Sequence, residues 1–216
     1  MNPDFNRRRL LATLAGVLVT TPGLAGSRLL ATPPQSAGPF YPLELPLDDD
    51  NDLTQVAGRD AVAAGRVTEL SGGVQDLDGR PIPDARIEIW QCDANGRYRH
   101  PGERGTALRD ENFQGYGHTV TDGAGRYRFR TIRPVPYPGR TPHIHMAVFA
   151  PQSTPLVTQL YVRGEPRNAA DFLFNRVPAE RRHLVQADFL AAELPDVELR
   201  ASFDLVLGGA DGTPAG

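Results

Sequence analysis

Hydrophobic and polar residues alternate along much of the chain after residue 66, a pattern typical of short β-strands. In residues 85–90, small or aliphatic side chains occupy every second position, with charged residues and Trp90 between them. Turn-forming sequences such as Asp76-Leu77-Asp78-Gly79 separate several of these segments. Further strands are predicted at residues 67–74, 126–130, 143–149, 156–162 and 202–207.

One helix is predicted near the C-terminal end, at residues 179–192, where Leu184, Phe189 and Leu190 fall roughly on one side of a helical period. The 22 glycines and 20 prolines favour many turns over long helices. Together these patterns predict an all-β protein, a β-sandwich of short mixed or antiparallel strands with long loops and a short C-terminal helix.

The 216 residues divide into four predicted regions. Residues 1–31 have the layout of a twin-arginine export signal, in which Arg7-Arg8-Arg9 precedes an apolar run too short for a stable membrane anchor. Small residues at 23–25, and later Ala31, offer cleavage sites. Residues 32–65 are predicted to be an extended arm, 66–210 the β-sandwich that carries the site, and 211–216 a disordered tail. This layout predicts export, with the periplasm as the destination.

Charge and cysteine content exclude some functions. The formal net charge is −3 and no basic stripe is present, which argues against nucleic-acid binding. Cys92 is the only cysteine, so an internal disulfide is excluded. We expect Cys92 to be a small, half-buried strand residue beside Trp90 rather than a nucleophile.

The candidate chemistry centres on His143-Ile144-His145. On a strand, the two histidines lie on one face and could share a cation. Tyr98 and Tyr137 are candidate oxygen donors upstream, although either could be an ordinary packing or loop aromatic, and His-x-His pairs also bind zinc. Taken together, two phenolates and two imidazoles suit ferric iron better than zinc.

Three segments carry a specific resemblance: residues 84–100, 121–134 and 136–145, the last containing Pro136-Tyr137-Pro138 and the two histidines. They resemble the intradiol ring-cleavage dioxygenases, and the protocatechuate 3,4-dioxygenase-like members most. The similarity extends from Gly38-Pro39-Phe40-Tyr41-Pro42 to about residue 166.

The resemblance implies four protein ligands of a non-haem Fe(III), and these are Tyr98, Tyr137, His143 and His145. It also implies cleavage of a catechol-type ring between its hydroxylated carbons with O2, giving a cis,cis-muconate-type dicarboxylate. Tyr137 is then expected to leave the iron when the diol binds, and Tyr98 to stay. Arg140 matches an arginine that stabilises negative charge on the ring. Gln159 matches a polar residue near the substrate and O2.

Several alternatives stay open from the sequence. Arg140 could form a surface ion pair, and Gln159 an ordinary strand hydrogen bond. Residues 72–86 also resemble transthyretin-like and carboxypeptidase-regulatory modules, non-catalytic β-sandwiches that do not need the tyrosine and histidine set. A zinc hydrolase built on the two histidines lacks an obvious carboxylate ligand. The substituent on the diol stays open, as does the choice between a homo-oligomer and a second subunit.

Overall fold

The computed structural model describes residues 28–45, 48, 50–151 and 153–208. The predicted export signal before residue 28 and the predicted tail at 211–216 lie outside these residues. No helix in the described ranges is long and apolar enough to cross a membrane.

The elements in chain order are β1 (Val67–Gln75), β2 (Arg86–Trp90), β3 (Tyr116–Val120), β4 (Arg126–Ile132), β5 (His143–Phe149), β6 (Leu156–Val162), the 3-10 helices η1 (Pro166–Ala170), η2 (Phe174–Arg176) and η3 (Ala179–Val185), then β7 (Gln186–Ala187), β8 (Phe189–Leu194), β9 (Val197–Ser202) and β10 (Leu205–Val206).

The strands form two five-stranded sheets, as expected for a β-sandwich. In the first sheet β1 pairs antiparallel with β4 and parallel with β9 and β10, while β8 pairs antiparallel with β9. The second sheet has the order β3-β2-β5-β6-β7 and is antiparallel except between β6 and β7. Strand β5, which begins at His143, is therefore the central strand of the second sheet.

Alternation along β5 separates the core from the site. Ile144 and Met146 pack in the main hydrophobic cluster with Leu70 of β1 and Phe129 of β4, and all four are fully buried. Burial of each such side chain stabilises the fold by ~1.5–3 kcal/mol. The histidines point to the opposite face of the sheet, where the His145 ring lies against Trp90. The predicted division of this strand into two faces is confirmed.

The opposite face of the second sheet is covered rather than open to solvent. Trp90 is 1% exposed and Glu88 5% exposed. Tyr41, from the segment before β1, donates a hydrogen bond from its hydroxyl to Glu88 at 2.8 Å and packs its ring edge-on against Trp90. The alternating residues of β2 thus have two buried faces.

The segment before β1 contains turns but no strand among its described residues. It contacts both sheets. The Thr32 N–H donates to the carbonyl of Val206 in β10 at 2.9 Å, and the Gln35 N–H donates to the carbonyl of Val157 in β6 at 2.8 Å. The Thr158 hydroxyl donates to the Pro33 carbonyl at 2.8 Å. This segment therefore bridges the two sheets beside the histidine face.

The C-terminal helix is shorter than predicted. Residues 179–185 form the 3-10 helix η3, but β7 and β8 occupy 186–187 and 189–194, so the prediction of helix up to residue 192 was wrong. Phe189 packs against the core whereas Leu190 is 55% exposed, which is the two-residue period of a strand. The predicted strand at 202–207 is likewise reduced to Leu205–Val206, because Ser202 ends β9.

Candidate metal centre

The two histidines are held at the start of β5 in a fixed orientation. His143 Nδ1 lies 2.6 Å from the Thr141 carbonyl oxygen, which can only accept, so Nδ1 carries the proton and Nε2 keeps a lone pair. The Nε2 atoms of His143 and His145 are 3.2 Å apart. Two nitrogens bound to one metal ion at ~2.1 Å each can lie this close.

Tyr98 is carried by the long loop between β2 and β3. The Asp93 carboxylate shapes this loop, since its Oδ1 accepts the N–H groups of Asn95 and Arg97 at 2.8 and 2.9 Å. Gly96 has a φ of +75°, and a Cβ there would lie 3.1 Å from the Pro136 carbonyl oxygen. Glycine at this position therefore allows the Tyr98 loop to approach the loop that carries Tyr137.

Tyr137 begins a tight turn of four residues, Tyr137-Pro138-Gly139-Arg140. The Arg140 N–H donates to the Tyr137 carbonyl at 2.9 Å, and Gly139 has a φ of +82°. A type II turn favours proline at its second position and needs a positive φ, and therefore usually glycine, at its third. The turn places the phenol and the guanidinium on the same short, stiff segment just before β5.

The four predicted ligands converge. The His143 and His145 rings are 4.8 Å apart between centroids, and the Tyr98 and Tyr137 rings 5.4 Å apart. Tyr137 lies 5.6 Å from His143, and Tyr98 lies 6.3 Å from His145. Residues far apart in the sequence thus form one cluster of two phenols and two imidazoles.

Burial controls the ionisation of the cluster. Burial, and then the adjacent Arg140 guanidinium, lower the pKa of His143 to about 3. Burial and the neighbouring His143 lower the pKa of His145 well below its usual range. Both imidazoles are therefore neutral at pH 7, which is the form that binds metals.

The tyrosines differ in their exposure. Tyr98 is 3% exposed, and burial raises its pKa well above 10. Tyr137 is only half-buried; burial also raises its pKa, but the neighbouring Arg140 acts to lower it. A trivalent cation beside either hydroxyl would favour the phenolate.

The donor set fits a ferric ion. The buried Tyr98 hydroxyl has no hydrogen-bond partner, which is costly for a polar group unless a ligand satisfies it. In the described part of the chain no group of three or more His, Cys, Asp or Glu side chains could hold a metal. A metal shell at this cluster therefore depends on the tyrosines, and phenolate oxygens are the hard anionic donors that Fe(III) prefers.

Arg140 and Gln159 form a buried network at the edge of the cluster. Arg140 is 8% exposed and Gln159 fully buried. Arg140 Nη2 donates to Gln159 Oε1 at 2.6 Å, and the Gln159 amide donates to the Ser36 carbonyl at 2.9 Å. Arg140 therefore does not form the surface ion pair that the sequence left open, and Gln159 links the guanidinium to the N-terminal segment.

Four residues of the site were missed by sequence reasoning. Trp90 stacks on His145 with 5.0 Å between ring centroids and 5° between planes. Phe40 stacks on Tyr98 at 4.8 Å, and Asp171 and Tyr161 both hydrogen-bond to Arg140. Two-residue alternation placed Trp90 on the face of β2 opposite Ile87 and Ile89, and this was a usable signal. Asp171 lies in a loop with no local pattern to identify it.

Cys92 is buried, 1% exposed, just after β2 and beside Trp90 in the same hydrophobic cluster. Burial raises the pKa of its thiol to about 12. The thiolate is therefore scarce at neutral pH, and a nucleophilic role is disfavoured.

Comparison with known proteins agrees with this geometry. The family model described as Dioxygenase matches residues 37–209. The chain is 38% identical over 174 residues to the protocatechuate 3,4-dioxygenase beta chain of Burkholderia cepacia, covering 76% of this chain and 74% of the relative. It is 34% identical over 148 residues to the hydroxyquinol 1,2-dioxygenase of Corynebacterium glutamicum, covering 60% of this chain and 46% of that relative, about half its length.

A solved structure gives the same result at the level of the fold. The dioxygenase domain of a dioxygenase and carbohydrate-binding protein fusion from Streptomyces sp. SirexAA-E superposes with a TM-score of 0.63 at 30% identity. The match covers 83% of this chain and 99% of that domain. The sandwich and its site-bearing loops therefore make up essentially the whole of that domain.

Proposed function

Because the chain belongs to the intradiol ring-cleavage dioxygenase family, we propose that it cleaves a catechol-type ring between its two hydroxylated carbons, with O2 as co-substrate. The product is a cis,cis-muconate-type dicarboxylate. Members of this family are oxidoreductases that use non-haem Fe(III). The observation that carries the proposal is the convergence of two tyrosines and two histidines on one buried cluster.

The proposed ligands of the iron are Tyr98, Tyr137, His143 and His145. When bound, ferric iron supplies Lewis acidity and withdraws electron density from the aromatic diol. Both imidazoles are neutral, and the Tyr98 hydroxyl could bind the ion without breaking a hydrogen bond, whereas His143 Nε2 would give up its 3.5 Å contact with Arg140 Nη1. Phe40 stacks on Tyr98 and Trp90 stacks on His145, and each contact covers one face of a proposed ligand ring.

The tyrosines are proposed to have different roles. Tyr98 is almost fully buried and stacked on Phe40, so its ring has little freedom to move. Tyr137 is half-buried on a turn at the edge of the cluster, next to Arg140. Tyr137 is therefore the ligand whose phenolate could swing away and take up a proton from the diol to become a phenol, while Tyr98 stays in place. This difference supports the roles that the family resemblance implies.

Arg140 is proposed to stabilise the negative charge that develops on the ring. Its guanidinium is permanently charged, buried and held within 3.5 Å of His143 Nε2. A preorganised cation in a site shielded from water stabilises a developing anion more strongly than it could in bulk water. Gln159 holds this guanidinium in place and is the proposed polar residue near the substrate.

The test is oxygen consumption by the purified, iron-loaded protein with catechol, protocatechuate, hydroxyquinol and chlorinated catechols. With 18O2 we expect a ring-opened dicarboxylate that contains both labelled atoms, and a broad visible absorption from ferric tyrosinate. A protein that stays colourless after iron loading would instead favour the alternative, a non-catalytic transthyretin-like or carboxypeptidase-regulatory-like module.

We also propose that the chain is exported to the periplasm by the twin-arginine route. The proposal rests on the arginines at 7–9 and the apolar run that follows them in the sequence. Replacing Arg8 and Arg9 by lysine should leave the protein in the cytoplasmic fraction. An unchanged periplasmic fraction would contradict the proposal.

Assembly with itself or with a second subunit is proposed as well. The relative from Burkholderia cepacia is named a beta chain. Three leucines near the tyrosine-bearing loop, Leu43, Leu45 and Leu108, are 74%, 47% and 87% exposed, and a subunit contact could cover them. Light scattering of the purified protein, which gives the mass in solution, tests this directly.

A further inference from the structure

The guanidinium of Arg140 is oriented by hydrogen bonds from two of its three nitrogens. Nε donates to Asp171 Oδ2 at 2.8 Å, and Nη2 donates to Gln159 Oε1 at 2.6 Å. The Arg140 and Asp171 side chains are 6% and 0% exposed. The third nitrogen, Nη1, is 3.5 Å from His143 Nε2 and therefore faces the tyrosine and histidine cluster.

Asp171 is itself held independently of Arg140. Its Oδ2 also accepts the Thr141 N–H at 3.0 Å, while its Oδ1 accepts the N–H groups of Leu173 and Phe174 at 3.0 and 2.9 Å. Three of the four donors are backbone groups, so the carboxylate has a fixed position even without the guanidinium. A fixed acceptor can set the plane of a flexible arginine, whereas a mobile one cannot.

The Asp171 carboxylate is ionised at neutral pH. Burial by itself raises its pKa, but hydrogen bonds from Arg140, Phe174 and Thr141 outweigh burial, and the pKa lies below its usual range. Among the described residues, Asp171 is also the one acid that forms an ion pair with Arg140. The pair is thus a buried, hydrogen-bonded ion pair at the edge of the site.

We infer that Asp171 is a positioning residue for ring cleavage: by fixing the plane of Arg140 through Nε, it keeps Nη1 directed at the bound diol. This role rests on the proposed function, because it acts through the residue that stabilises charge on the ring. The positioning role is more specific than neutralisation of charge, because an acid that only neutralised Arg140 could contact any of the three guanidinium nitrogens. Asp171 binds Nε and Gln159 binds Nη2, so Nη1 is the nitrogen that faces the tyrosine and histidine cluster, where the diol would bind.

The first test is D171N in the iron-loaded enzyme. Asparagine keeps an oxygen for the two N–H groups on the Oδ1 side, but it turns an NH2 group towards Arg140 Nε and the Thr141 N–H. We expect kcat/KM to fall roughly 10- to 100-fold, mainly through kcat, with iron content within about twofold of wild type. The matched control is D188N, which breaks the solvent-exposed Nε pair between Arg163 and Asp188 and should leave kinetics unchanged.

The second test is a double-mutant cycle with R140A. If Asp171 acts through Arg140, D171N should change kcat/KM by less than about threefold in the R140A background. A loss of the same factor in both backgrounds would mean that Asp171 supports the fold or the iron site instead, and would overturn the inference. So would wild-type kinetics in D171N.

A third variant covers the case in which D171N does not fold. R140K keeps the positive charge but has no Nε N–H group for Asp171 to orient. We expect R140K to lose nearly as much rate as R140A; near-normal turnover in R140K would overturn the inference.

The inference and the proposed function can also fail separately. If the wild-type protein binds catechol but does not cleave it, the proposed function is wrong. The same cycle can then be run on anaerobic catechol affinity, read from the visible spectrum of the iron-loaded protein. Weaker binding in D171N, absent in the R140A background, supports the positioning role, and additive weakening refutes it.

Discussion

Gly38 lies beside His145 in the N-terminal segment, and replacing it with alanine tests how tightly His145 is held. A Cβ at this position would lie 3.1 Å from His145 Cε1 and 3.5 Å from Nε2. The imidazole cannot retreat easily, because Trp90 stacks on it with a 5° angle between planes. The His145 side chain is also 1% exposed.

Two separate costs contribute to the effect of G38A. Gly38 has a φ of +68°, and a non-glycine residue in this conformation costs about 1–2 kcal/mol. The contact adds about 1–3 kcal/mol, the usual range for overpacking a site that cannot relax. Displacement of His145 Nε2 should also weaken iron binding, by roughly 10- to 100-fold.

The matched control is G164A. Gly164 has a φ of +72°, but a Cβ there would meet no atom within 4 Å. Both variants should therefore lose stability because alanine is strained at a positive φ. A loss of 1 kcal/mol lowers the Tm of a domain this size by roughly 2–4 °C. Only G38A should show the additional loss of stability and the weaker iron binding.

The assays are thermal unfolding of the iron-free proteins and competition for iron with a chelator, followed by visible absorption. The reasoning is refuted if G38A and G164A unfold at the same temperature and bind iron equally well. That outcome would mean that the His145 ring and Trp90 shift together at little cost.

Three further predictions concern the site and the N-terminal segment. Tyr98→Phe should lose most of the bound iron, because it removes the buried oxygen donor that has no other partner. Arg140→Ala should keep its iron but react about 100-fold more slowly, since it removes the buried cation beside the cluster. If the chain is exported as proposed, signal cleavage should occur after Ala25 rather than after Ala31, because the Leu29 N–H donates to the Leu77 carbonyl and Arg181 donates to the Ala31 carbonyl.

Each of these three predictions can be measured directly. Metal analysis and visible absorption of Tyr98→Phe decide the first, and a full iron complement would remove Tyr98 from the ligand set. Unchanged steady-state kinetics in Arg140→Ala would exclude it from the reaction. N-terminal sequencing of the mature protein decides the third; a mature chain that begins at Thr32 would contradict it, because the hydrogen bonds of Leu29 and Ala31 would then be lost.

Local patterns in the sequence were enough to predict the histidine strand. The alternation of His143, Ile144 and His145 reports directly which side chains enter the core, because strand geometry fixes the two faces. The same reasoning failed for residues 186–192 of the predicted helix, because apolar residues at 184, 189 and 190 fit a helical period. There the pairing of β8 with β9 determined the structure. The periodicity of one segment carries no information about which strand will pair with it.

The environment of Arg140 was out of reach for a different reason. Its partner Asp171 follows β6 and η1, and only the folding of that loop back over β5 brings the two together. Tyr98 and Tyr137 could be proposed because their motifs resemble those of a known family. The stacking of Trp90 on His145 was partly predictable, because both residues lie on strands whose faces follow from alternation.

Strand β1 completes its pairing only with strands from the other end of the chain. Thr68 pairs with Leu199 and Val74 with Leu205, so the first sheet cannot close until the chain up to Val206 has left the ribosome. Until then, β1 can pair with β4 alone and keeps one edge open, and such open edges promote aggregation. A premature stop before residue 197 would remove both late partners. Short C-terminal truncations should therefore reduce the yield of soluble protein even though they leave every proposed iron ligand in place.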